Sequence, residues 1–181
     1  MYQAIKSWCM ALLLLNAIIT TAWSQDTATV TRQDTLMGSV TPERAWWDLQ
    51  YYHLDVQVFP EKRSLKGSNT IQYKVLSPQK RMQIDLQAPL VITNVTQNNK
   101  RLAFTKEGDV WYITLPKNLV IDQSYQVKVF YEGQPKEAVR PPWDGGIQWA
   151  KDSLGNDFLA TSCQGVGASI WWPCKDHMAD E

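Results

Sequence analysis

Apolar and polar side chains alternate in short runs along most of this chain, with turn residues between the runs. In His53 to Phe59, Leu54, Val56 and Val58 alternate with polar neighbours, the period of a strand with one buried face. Pro60 to Arg63 reads as a turn. From Leu65 to Leu76, Ile71, Tyr73 and Val75 share a face, and Ser77-Pro78 ends the run. Met82 to Leu86 alternates again as far as Ala88-Pro89. Val91 to Gln97 runs into Asn98-Asn99, a pair that suits a hairpin. Val110 to Leu115, Tyr125 to Tyr131 and Asp157 to Ser162 are further strands. Strands at spacings of roughly ten residues, without an amphipathic helix among them, predict a mainly β fold: an antiparallel sandwich or a saddle-like sheet.

The ends differ from this pattern. Lys6, the apolar runs Ala11 to Leu15 and Ala17 to Ile19, and the small residues of Ala22-Trp23-Ser24 together read as a signal peptide over 1–24, cleaved before Gln25. A membrane anchor is the alternative. The apolar run falls short of the ~20 residues of a span, and Asn16 interrupts it. Cys9 precedes the apolar core, which argues against a lipoprotein. The expected product is secreted or periplasmic, with no stable membrane span after cleavage. Residues 25–45, polar and rich in threonine, read as a flexible leader, and 46–181 as the β-domain. With 18 basic and 18 acidic residues and no basic stripe, nucleic acid is excluded as a partner. Cys163 and Cys174 follow the leader. Small and apolar neighbours favour free, buried thiols, and a disulfide across the short loop between them is the other possibility.

The candidate chemistry gathers near the end of the chain. Gln164 stands between Cys163 and Gly165-Val166-Gly167, a stretch of low bulk that lets a ligand approach the backbone. Its carboxamide offers both an acceptor and donors, and an acceptor suits a protonated amino group. In Trp171-Trp172-Pro173-Cys174-Lys175-Asp176-His177, Pro173 is expected to end a strand. Asp176 caps the next segment or pairs with a cation. His177 lacks a partner at helical spacing and reads as a structural residue. Upstream, Val139 to Trp149 reads as an aromatic, proline- and glycine-fixed loop, with Asp144-Gly145-Gly146 as a turn. There is no His-Glu-x-x-His and no Gly-x-Met-Glu-Asn in the chain, and its histidines, His53 and His177, lie far apart.

From Cys163 to Asp176, together with Pro142-Trp143-Asp144-Gly145-Gly146, the chain resembles the aminopeptidase N-type zinc metallopeptidases, peptidase family M1. The resemblance extends over about Trp47 to Glu181. It implies the N-terminal saddle domain of a secreted enzyme that removes amino-terminal residues from peptides, ending at the junction with a missing catalytic domain. Gln164, Gly165, Val166 and Gly167 would then contact the substrate's amino end, and Asp176 would be structural. Zinc is expected in the complete protein, none is expected to be bound by these residues alone, and without the two motifs this length is expected to be inactive. The surface from Gln164 to Trp172 should be apolar and exposed where it meets the catalytic domain. A different class remains open: an autonomous secreted β-sandwich that binds carbohydrate or peptide on exposed tryptophans, without catalysis.

Overall fold

The computed structural model describes residues 29–177. The expected signal peptide, most of its junction with the leader, and residues 178–181 lie outside the described residues. What is described is mainly β, built of antiparallel sheets. Strands β1 (Trp47–Phe59), β2 (Ser64–Val75), β4 (Val91–Gln97), β5 (Lys100–Arg101) and β8 (Ser124–Gly133) form a five-stranded sheet in the order β1-β2-β8-β4-β5. A three-stranded sheet runs β3-β7-β6, from β3 (Arg81–Asp85), β6 (Phe104–Glu107) and β7 (Val110–Thr114). A separate two-stranded ribbon pairs β9 (Gly146–Lys151) with β10 (Asp157–Ser162).

Side chains of the two larger sheets share one core. Ile71, Tyr73 and Val75 of β2 and Val127, Val129 and Tyr131 of β8 meet Met82, Ile84, Trp111 and Ile113 of the smaller sheet. The period-two face expected on β2 is therefore the inward one. The β4–β5 hairpin turns at Asn98 and Asn99, both at positive φ (50° and 61°), with Gln97 opposite Lys100. Asparagine tolerates that left-handed region better than most residues, so the pair closes a two-residue turn.

The leader reading needs revision at its C-terminal part. Residues 32–45 carry two short helices, α1 (Arg32–Gly38) and α2 (Pro42–Ala45). Thr31 caps α1 in a reciprocal box with Asp34. Leu36 packs on Val110 and Tyr112, covering the face of β7 that points away from the main core. This helps explain why β3 and β7 are buried on both faces although the sequence of β3 alternates. The two buried polar residues of β3, Gln83 and Asp85, are satisfied. Gln83 donates to Leu36 O (3.1 Å) and accepts from Thr41 Oγ1 (2.5 Å), and Asp85 meets Arg44 at 2.6 Å with both side chains fully buried. Buried polar groups persist when they are paired in this way.

Candidate functional site

The site is assembled by the β9–β10 ribbon. At its far end, Asp152 Oδ1 accepts from the backbone N–H groups of Leu154 and Asn156, both at 2.8 Å, which fixes the hairpin turn. At its near end Ser162 pairs with Gly146. The ribbon thus delivers Cys163 beside the loop before Gly146. That loop is tied by Asp144, whose Oδ2 accepts from Val139 N (2.6 Å) and Arg140 N (2.8 Å). Only its first part is irregular. Gly146 to Trp149, expected to continue the loop, belongs to strand β9, because β10 supplies a ladder for its backbone.

Cys163 opens a tight turn. Its carbonyl accepts from both Val166 N (3.2 Å) and Gly167 N (2.9 Å). Gly165 and Gly167 stand at φ +73° and +79°, a region costly for residues with a Cβ. At Gly167 space forbids one as well: a Cβ there would lie 2.0 Å from Asp176 Oδ2. Val166 is half-buried and packs on Gly145, where a Cβ would sit 2.3 Å from Val166 Cγ2. Gln164 and Gly165 are exposed at the tip. The structure therefore brings the four expected residues together as one turn, with the carboxamide-bearing residue outermost.

The support beneath the turn comes from distant residues. Gln87 Nε2 donates to Val166 O (2.5 Å) and Ser169 Oγ (2.9 Å). Asp176 Oδ2 accepts from Ser169 N (3.0 Å), and Asp176 N donates to Asp85 Oδ2 (3.0 Å). Asp176 thus ties back onto the preceding 3-10 turn, Ala168–Ile170. Cys174 pairs with Asp85 through two backbone bonds (2.8 and 3.1 Å), and Asn69 Nδ2 donates to Pro173 O (2.8 Å). The strand expected before Pro173 is absent. Trp171 and Trp172 follow the 3-10 turn, and Trp172 meets the ring of Tyr52 edge-on at 4.9 Å. Gln87 and Asp85 carry no local motif, so pattern reading passes over them.

Burial sets the electrostatics. It pushes Asp85 up to about 6, against the opposing pull of the Arg44 guanidinium. It also raises the thiols of half-buried Cys163 and buried Cys174, which are free and in their unreactive protonated form. The tryptophans mostly serve the interior. Trp46, Trp47 and Trp111 are buried, and Trp143 alone among the described tryptophans is largely exposed, at 75%. Of the apolar surface expected over Gln164 to Trp172, Val166, Trp171 and Trp172 are half-buried. Ser169 and Ile170 are buried, whereas Trp143, Leu154 and Phe158, in or beside the ribbon, are exposed.

The described residues do not fit a zinc centre: no three of their His, Cys, Asp and Glu side chains converge to hold a metal. No catalytic step is assigned to them. Among the described residues no helix is long and apolar enough to cross a membrane.

Comparison with known proteins agrees with this architecture. The model of the peptidase M1 N-terminal domain matches residues 49–178. No curated protein matches the chain significantly. Among solved structures, the M1 zinc metallopeptidase from Deinococcus radiodurans is similar with a TM-score of 0.59 and 22% identity, over 76% of this chain and 31% of that one. A mutant of the same enzyme solved with a Tyr-Ser-Ala substrate gives the same values. Leukotriene A4 hydrolase from Saccharomyces cerevisiae is similar with a TM-score of 0.55 and 17% identity, over 72% of this chain and 21% of that one. At these identities the likeness is one of fold. The chain spans about a third or less of the length of these structures.

Proposed function

Because this chain belongs to the peptidase M1 family, as its N-terminal domain, we propose that it lines the substrate cleft of a secreted, zinc-dependent aminopeptidase. The signal peptide over 1–24 directs export, and the two sheets with their common core are the family's saddle-like domain. The turn from Cys163 to Gly167 receives the amino end of a peptide. Zinc and the residues that act through it belong to a catalytic domain outside the described residues, and this chain's share of the work is binding.

One observation carries the reading. Gln164 stands exposed at the tip of a turn whose backbone is fixed from both sides, by Gly145 against Val166 and by Asp176 against Gly167. Its side chain hydrogen-bonds to none of the described residues, which leaves the carboxamide oxygen available to a protonated amine. A rigid base under an available acceptor lowers the ordering cost of binding. The test is a titration of the 15N-labelled chain with a dipeptide amide. The Gln164 carboxamide signal should move with the free-amine peptide and stay in place with its N-acetylated form. Equal responses to the two peptides would end the proposal.

A further inference from the structure

Gln87 is joined to the closing segment at three points. Its backbone N–H donates to Ser169 O (2.9 Å), and Nε2 donates to Val166 O (2.5 Å) and to Ser169 Oγ (2.9 Å). Both hydrogens of the carboxamide nitrogen are thereby committed. The side chain lies beyond the β3–β7 ladder, which ends at Asp85. It reaches instead across 79 residues of sequence to the turn that bears Gln164.

The turn needs that reach. Its internal hydrogen bonds, from Val166 N–H and Gly167 N–H, both end on a single acceptor, Cys163 O. The Val166 carbonyl and the Gly167 N–H share one peptide plane and point to opposite sides of it, so Gln87 and Cys163 O hold that plane from its two ends. The bonds to Cys163 O lie within the turn, whereas the bond from Gln87 ties that plane to the chain that follows β3. Gln87 is half-buried, so water only partly replaces the bond if it is lost. A glutamate here would turn a carboxylate oxygen toward the Val166 carbonyl oxygen, and a methionine would fill the space with no donor.

We propose that Gln87 is a positioning residue. By holding the Val166 carbonyl it fixes the turn in the one arrangement that aims the Gln164 carboxamide outward at the amino end of a substrate. It touches no substrate itself. The inference rests on the reading of Gln164 as the substrate contact.

The experiment uses the complete enzyme that carries this domain. It compares Gln87→Met, Gln164→Ala and the double variant, and Gln87→Glu serves as a near-isosteric second replacement. Thermal melts confirm that each variant is folded. Amide exchange at Val166 and Gly167 should accelerate about tenfold in Gln87→Met, the order expected for the loss of a pair of partly buried hydrogen bonds. With a free-amine chromogenic substrate, Gln87→Met and Gln87→Glu should raise KM while kcat holds. The double variant should show no larger KM than Gln164→Ala alone, because both changes remove the same interaction. If the Gln87 variants keep the wild-type KM, or the KM effects multiply in the double variant, Gln87 does not act through Gln164 and the inference is overturned. If Gln164→Ala itself leaves KM unchanged, the substrate reading fails, and the positioning role fails with it.

Discussion

Asp85 is the residue on which the parts of this domain converge. Arg44 of α2 holds one carboxylate oxygen, Asp176 N donates to the other, and its backbone pairs with Cys174. A carboxylate so enclosed trades solvation for specific partners, and burial prevails: its pKa rises from the ordinary 3.8 to about 6. The folded chain then keeps a proton that the unfolded chain has already released. The stabilisation this gives is complete below the unfolded value of 3.8 and is lost as pH rises through about 6. Above that range the ion pair with Arg44 carries the site. Melting temperatures measured across pH 4 to 7 should accordingly show a downward component with rising pH that Asp85→Asn abolishes. Equal slopes in the two proteins would mean that Asp85 titrates in the usual carboxylate range.

At the scale of elements, α1 is the part that alters the domain's outline. Its single buried side chain, Leu36, covers β7 and lies over Val110 and Tyr112. Leu36→Ala should cost about 2–3 kcal/mol, the low end for deleting a buried leucine beside a helix that can partly close the gap. Denaturant unfolding would read this as a lower midpoint at constant slope. No change in midpoint would mean that α1 contributes nothing to the folded domain. The elements also show how far the sequence could be read. β10 has the predicted limits, Asp157 to Ser162, and β2 has the predicted inward face. In β2 the period-two pattern and the burial coincide. α1 was hidden because one leucine among polar residues makes no stripe, and its stability comes from the Thr31 cap and from the strand it covers. β9 was hidden because the prolines and glycines just before it read as loop, while the partner that makes it a strand lies in β10. β3 looked half-exposed because its covering layer was assigned to the leader.

At the scale of the whole molecule, the two sheets and their shared core form a base from which the ribbon projects one turn. The turn's glycines, and Gln164 just before them, were legible because low bulk beside a carboxamide is a local signal. The support beneath the turn was not legible, since Gln87 meets Val166, and Asp85 meets Asp176, only through the fold. The central claim is that Gln164 holds the amino end of a peptide in a cleft completed by a catalytic domain. The most direct measurement is steady-state kinetics of Gln164→Ala in the complete enzyme with a free-amine substrate. Removing a hydrogen bond to a charged amine should raise KM about tenfold or more, with kcat changing far less. A wild-type KM in the variant would contradict the account.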